Sequence, residues 1–273
     1  MRLDFGSSSF TPDGEVALLP TAPRDVFAFT CAAVSASSGV VLARDLAPAF
    51  CTNATFAALG PVGLATDDRT AASVVFTWGS AGFRELRRAA GLNLTALDAA
   101  GARALRSDAR GNPLIYDVAA GTDAAPSRAT ENLRRTARRR YLLADGTATL
   151  FAESDTEGGL AGRSCGAGGC SLYLEPVGAP FRSIATGVAA WALNRTLPAL
   201  VYVTPTGELH RYDLAASSDT TISVMPFDAA RTFAVEDAFV LQSSANVQVV
   251  HVARGAVVVT LAGSLTLEPD PRV

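Results

Sequence analysis

Apolar residues in this chain recur at every second position in short runs, which is the period of a half-buried strand, not that of a helix. The C-terminal third shows it best. Ala199-Leu-Val-Tyr-Val-Thr204 predicts a strand, and Pro205-Thr206-Gly207 a tight turn. Leu209, Tyr212 and Leu214 then carry a second strand to Asp213 and a polar loop. Further strands are predicted over 220–225, 231–235, 238–242, 246–252 and 256–261. Turn signals separate these runs every few residues, the signature of an all-β chain. Earlier, Phe10-Thr-Pro-Asp-Gly14 reads as a turn of the same kind. A long hairpin is expected with Thr147–Glu153 going up, 154–169 as its loop, and Cys170–Val177 returning. Residues 84–106, rich in alanine, leucine and arginine, predict a short helix that Gly91 and Gly101 interrupt.

The strands belong to a repeat. Gly207-Glu-Leu-His-Arg-Tyr-Asp-Leu-Ala215, Gly111-Asn-Pro-Leu-Ile-Tyr-Asp-Val-Ala119 and Gly39-Val-Val-Leu-Ala-Arg-Asp-Leu-Ala47 share a glycine, a large residue, an aspartate, an aliphatic and an alanine. Looser copies begin at Gly169 and Ala245, and weaker ones at Gly82 and Gly14. The starts at 169, 207 and 245 are 38 residues apart. A period near 40 residues is what one four-stranded propeller blade requires. Asp45, Asp117, Glu175 and Asp213 recur at the end of the repeated strand, where an acidic side chain caps a turn by bonding its own backbone.

Trp191 together with Leu200-Val-Tyr-Val-Thr-Pro-Thr-Gly-Glu-Leu-His-Arg-Tyr-Asp-Leu214 resembles the repeat of WD40-like β-propellers, especially the blades of periplasmic translocation proteins. Phe10-Thr-Pro-Asp-Gly14 is similar to that family's SPDG turn. The resemblance is clearest over 140–262 and implies a single propeller domain over 1–273, with six or seven four-stranded blades. Ser264–Glu268 or the segment before Pro12 would close such a ring. The family's blades mostly serve as protein-binding platforms, so the resemblance implies architecture and not a reaction.

Composition sharpens this picture without redirecting it. Of 273 residues, 49% are hydrophobic and 18% charged, enough to build a core. The net charge of −3 makes the chain an unlikely nucleic-acid binder. All 23 basic residues are arginine, which removes any lysine nucleophile or Schiff base. No apolar run is long enough for a transmembrane helix, and the start, MRLDFGSSSF, lacks the apolar core of a signal peptide. The four cysteines pair naturally as Cys31 with Cys51 and Cys165 with Cys170, which points to an oxidising, extracytoplasmic compartment. Three sequons, at Asn53, Asn93 and Asn194, would matter only in a secreted eukaryotic protein.

Candidate chemistry is sparse. Gly162-Arg-Ser164-Cys-Gly166 fits the G-x-S-x-G pattern of a nucleophile elbow, but a loop precedes Ser164 and three more glycines, Gly166, Gly168 and Gly169, follow it, so neither the strand nor the helix of an elbow is present. The only histidines, His210 and His251, fall inside the repeated strand in closely matching slots, which argues for packing or surface positions and not for a base. Cysteine and histidine spacing gives no zinc site, and Asp67-Asp68 or Asp155/Glu157 read as solvated loop acids before they read as calcium ligands. No phosphate-binding glycine motif is present and no cofactor is expected. A carbohydrate-active enzyme would instead need carboxylates converging near a channel, for which Asp4, Asp25, Asp67, Glu236 and Asp237 are the candidates. The sequence RATENLRRTARRR at 128–140 is a basic run, and Arg134, Arg135, Arg138, Arg139 and Arg140 are its candidate binding residues; a charged, solvated edge is the plainer reading.

The expected role is therefore a non-enzymatic binding or scaffold module that takes a protein or surface glycan through loops on one face, with 154–169 and 120–140 as the chosen segments. A carbohydrate-active enzyme or a structural component of a larger assembly are the alternatives. Alkylation without reductant, followed by intact mass, should leave all four cysteines unmodified; four added alkyl groups would remove the argument for export.

Overall fold

The structure is a computed structural model of the 273-residue chain and describes residues 9–21, 30–67, 69–79, 82–127, 140–153, 155–157, 163–165, 169–224, 231–235, 238–242, 246–252 and 254–262. The all-β expectation holds. One single-turn helix, Ala49–Thr52, is the only α-helix among these residues. The strands form six antiparallel sheets. The first has strands Ser9–Phe10, Val16–Thr21, Thr30–Ser35 and Val41–Leu46; the second, Thr55–Phe56, Val62–Asp67, Ala72–Thr77 and Arg84–Ala90; the third, Leu94–Leu97, Arg103–Ser107, Pro113–Asp117 and Thr122–Ala124. The fourth has Tyr141–Leu142, Ala148–Ala152, Cys170–Pro176 and Arg182–Val188; the fifth is built on Ala190–Leu193, Ala199–Val203, Glu208–Asp213 and Ser218–Val224; the sixth has Arg231–Val235, Ala238–Gln242, Asn246–His251 and Ala256–Ala262. In each, four strands lie side by side in chain order, the strand order of a propeller blade.

Two compact units divide the chain, Met1–Pro126 with Ala144–Thr149 and Ser127–Leu143 with Leu150–Val273. In both, the middle strands are buried on two faces and the fourth strands are open to solvent: Ala72–Thr77 is buried almost throughout, whereas Arg84–Ala90 is mostly exposed. β-branched and aromatic residues fill the middle strands because a pleated surface packed on both sides favours them.

The structure corrects the repeat. The copies at Gly111, Gly169, Gly207 and Ala245 fall on the third strands of the last four sheets. Those at Gly39 and Gly82 lead into fourth strands, and that at Gly14 into a second strand, so they match by chance. The true third strands of the first two sheets begin without the glycine turn. The region 84–106 is three strands, not a helix, because Gly91 and Gly101 take the positive φ of turns. The long hairpin is present, with Ala148–Ala152 beside Cys170–Pro176. Its loop does more than connect. Asp155–Glu157 and Arg163–Cys165 form a second hairpin that pairs with the first strand of the fifth sheet, Ser164 opposite Ala190, making that sheet six-stranded.

In the first unit, Phe50, Phe56, Phe76, Phe83 and Trp78 form a connected ring cluster. The Trp78 indole donates to Asp13 Oδ2 at 2.8 Å, tying the second sheet to the Thr11–Gly14 turn of the first. Burial pushes the Asp13 carboxyl up, but bonds from Thr11, Trp78 and the backbone outweigh it and hold it below its ordinary value. Cys31 and Cys51 are bonded, stapling the third strand of the first sheet to the helical turn that follows it.

Arginines fasten neighbouring sheets. Arg87, on the fourth strand of the second sheet, donates through Nε to the Val118 carbonyl at 2.9 Å and through Nη2 to that of Ala119, in a turn of the third. Arg182, on the fourth strand of the fourth sheet, reaches the Leu214 carbonyl at 3.1 Å and the Ser217 hydroxyl in the equivalent turn of the fifth. Asp117 and Asp213 cap these turns as expected, accepting from Ala120 and from Ala215 and Ala216. Asp45 instead takes positive φ, with Arg69 donating to its carbonyl.

Glu175 does not cap a turn. It is buried, and Arg140 Nε donates to it at 2.7 Å while the guanidinium sits 4.1 Å above the Phe151 ring. Breaking such a pair leaves a buried charge without its partner, so Glu175→Ala should lower stability by about 3–5 kcal/mol in urea unfolding. The double change Arg140→Met, Glu175→Leu should restore most of that loss. Equal losses in the single and double variants would mean that packing alone, and not the charge, sets the effect.

Candidate functional site

The outer halves of the fifth and sixth sheets enclose a cleft of about 680 Å³. Strand alternation builds it. Val201, Val203 and Leu209 of the fifth sheet pack on Phe239, Leu241, Val250 and Val252 of the sixth, and Ile222 and Val257 border this core. Arg211 lies two residues beyond Leu209 and opposite Val201, so it emerges on the same face where the apolar packing ends. Thr220, Thr221, Ile222 and Ser223 on one wall, and Gln248, Arg254, Val257 and Thr260 on the other, complete a lining that is polar and apolar in similar measure.

The cleft combines positive charge with unmet hydrogen-bonding capacity. Arg211 and Arg254 line it, and no acidic residue does. Arg211 Nη1 lies 3.7 Å from Asp213 Oδ2, too long for a strong pair. Arg211 Nε, Ser223 Oγ and Gln248 Oε1 are buried without hydrogen-bond partners. Buried polar atoms are usually satisfied, so three unmet at one place carry a local cost; His210 Nδ1 and Gln242 Oε1 are unmet elsewhere in the same unit. Arg211 is also pre-positioned. Its side chain crosses Gly255, a turn residue at φ +57°, where an added Cβ would stand 2.1 Å from Arg211 Cδ.

Two other constellations are largely held by their own partners, although the buried His210 Nδ1 makes no hydrogen bond. A smaller cavity in the first unit, about 230 Å³, has Phe50, Phe76 and Phe83 at its base and charged residues at its rim. At that rim Arg88 binds Asp67 at 2.7 Å and Glu85 at 2.8 Å. On the opposite face of the fifth sheet, His210 stacks flat on Tyr202 with ring centroids 4.7 Å apart. Tyr202 donates to Asp219 at 2.6 Å, and His210 Nδ1 lies 3.3 Å from the same carboxylate. Burial, and then the Asp219 carboxylate, push the Tyr202 phenol far above its ordinary value, so it stays protonated as a donor.

The sites expected from sequence are distributed differently. Both cysteine pairs form disulfides. Arg140 donates to Glu175. Arg134, Arg135, Arg138 and Arg139 lie outside the described residues, as do Asp4, Asp25, Glu236 and Asp237. Asp67 is buried beside Arg88 and accepts from the Arg69 amide; burial raises its carboxyl, but these bonds bring it below its usual value. Ser164 sits in a strand, not an elbow. The histidines are not equivalent: His210 is opposite Tyr202 in mid-strand, while His251 ends its strand opposite Ala238, as Asp213 ends its own opposite Ala199. His251 Nδ1 accepts weakly from the Arg254 amide at 3.4 Å, standing in for the aspartate cap. Asn194 is buried and spends its oxygen on Thr196 and Leu197, so its sequon is closed to glycosylation; Asn53 and Asn93 are exposed. No group of three or more potential metal ligands occurs among the described residues.

No family model and no curated protein matches the chain. Among solved structures it is similar to dihydro-heme d1 dehydrogenase NirN in complex with DHE, with a TM-score of 0.47 and 12% identity. That match covers 94% of this chain but spans only 57% of the other.

Sequence reasoning missed Arg211, Ser223, Gln248 and Arg254. Arg211 left a trace: it shares the in-facing register of Leu209, where an apolar residue would be expected. Gly255→Ala should test the arrangement. The strained φ and the clash with Arg211 should cost about 1–3 kcal/mol in unfolding free energy and move the Arg211 side chain. A variant as stable as the parent, with Arg211 in place in a crystal structure, would contradict it.

Proposed function

We propose that this chain is a non-enzymatic binding module of the β-propeller type, working outside the cytoplasm, which holds a protein or surface glycan at the cleft between its fifth and sixth sheets. One observation carries the reading: the cleft is lined by Arg211 and Arg254 and by no carboxylate. Such a surface offers cationic donors to a ligand but no acid–base pair for chemistry on it. Meander sheets of propeller-blade order support the architecture, and the two disulfides support an oxidising compartment. Among the described residues no helix is long and apolar enough to cross a membrane. The carbohydrate-active alternative is less favoured, because its one described candidate, Asp67, is tied to Arg88 in the other unit.

The intact chain should capture ligands from an immobilised panel of glycans and extracellular proteins. The Arg211→Ala, Arg254→Ala double variant should lose that capture while keeping its far-ultraviolet circular dichroism. The bound ligand should be released with its mass unchanged. Capture indifferent to the double variant would place binding elsewhere, and a chemically altered ligand would make the chain an enzyme.

A further inference from the structure

The N-x-T triplets are a sequence signal that the cleft does not absorb. Three of the chain's six asparagines stand in them, Asn53, Asn93 and Asn194, more than its serine and threonine content would place there by chance. Such a triplet is compatible with a bulky glycan only where the fold leaves it on a surface loop, so the structure decides among the three.

Asn53 ends the single-turn helix Ala49–Thr52. Its backbone N–H makes the cap, to the Ala49 carbonyl at 2.9 Å, so the side chain is spared that task. Asn93 lies in the turn between Ala90 and Leu94, which Gly91 opens at φ +67°. Both asparagines are exposed, and so are the threonines of their triplets, Thr55 and Thr95. No hydrogen bond among the described residues uses either asparagine side chain. The two positions are also equivalent in the fold. Asn53 joins the fourth strand of the first sheet to the first strand of the second, and Asn93 joins the second sheet to the third in the same way. The chain reverses at every strand of the second sheet, so both connections leave from one end of it.

Asn194 is different. It lies in the hairpin between Ala190–Leu193 and Ala199–Val203 and is 1% exposed. Its Oδ1 accepts from the Thr196 amide at 2.8 Å, the Thr196 hydroxyl at 2.9 Å and the Leu197 amide at 2.6 Å. A sugar on its Nδ2 would have to draw this side chain out of the fold and leave those donors unmet.

We infer that Asn53 and Asn93 are N-glycosylation sites and that Asn194 stays bare. The donor is a lipid-linked oligosaccharide diphosphate. The asparagine amide nitrogen bonds to the anomeric carbon of the first sugar, the bond from that carbon to the phosphate oxygen breaks, and the amide proton leaves with the lipid diphosphate. The inference rests on the reading of the chain as a module that works outside the cytoplasm.

Peptide mapping by mass spectrometry tests it, on the intact chain isolated from its own source, before and after treatment with peptide N-glycosidase. Asn53 and Asn93 should each carry a glycan and be left as aspartate by the enzyme, while Asn194 remains asparagine throughout. A bare asparagine at either position, in protein whose cysteines are paired, overturns the assignment while the extracytoplasmic reading stands. Bare asparagines together with four free thiols sink both. A glycan on Asn194 in the folded chain would show that burial does not choose among the triplets and would overturn the assignment as well.

Discussion

A sheet buried on both faces has no apolar surface left at its outer edge, so the outer strands of neighbouring sheets must be held by something other than packing. In this chain that task falls to arginine. Arg87 and Arg182 each reach from a fourth strand to carbonyls in a turn of the next sheet. Those carbonyls belong to positions where the chain reverses and cannot satisfy itself. A guanidinium meets them with several donors in one plane, whereas an ammonium would meet them as a point charge. The absence of lysine therefore has a structural consequence, whatever its origin: every such fastening is made by a rigid fork.

The same device explains why the cleft is where it is. Arg211 lies over Gly255 in the turn of the sixth sheet, much as Arg87 comes within 3.2 Å of where a Cβ would stand on Gly121 in the third. Arg87 spends its donors on Val118 and Ala119. Arg211 starts from a third strand instead of a fourth and leaves Nε unspent. The cleft lies beside it, lined by the outer strands of the fifth and sixth sheets. One fastening arginine shifted by a strand turns a seam into a site.

Much of this architecture could be read from the chain. Alternation and turn chemistry were enough for the four strands of the sixth sheet, three of the fifth and the central pair of the fourth, because signals such as Pro205-Thr206-Gly207 and the capping Asp213 are local; Tyr141–Leu142, Arg182–Val188 and Ala190–Leu193 carried none. They were not enough at 84–106. There alanine, leucine and arginine are good helix formers, and what overrides propensity is tertiary: Arg84–Ala90 is a fourth strand held by pairing with Ala72–Thr77. The repeat also misled wherever glycine, aspartate and alanine coincided on a fourth strand, since a short pattern carries no information about which strand bears it. Glu175 is the instructive failure. In sequence it occupies the slot of a capping aspartate, yet one extra methylene and a partner, Arg140, take it into the core.

The cleft was invisible in sequence for a different reason. Each of its residues is ordinary where strands and turns meet solvent: Arg211 and Gln248 come from third strands, the serine and threonines from fourth strands and Arg254 from a turn. What sets them apart is that three of their polar atoms are buried and unpaired at once, a property of the gap between two sheets and not of either strand. Leaving a buried donor or acceptor unmet costs about 1–3 kcal/mol, so a purely structural seam would be more stable with alanine or valine in those places. The other charged cavity has avoided that cost by pairing Arg88 with Asp67 and Glu85. The contrast between the two is the physical argument for function: where stability alone governs, this chain satisfies its arginines, and in the cleft it does not.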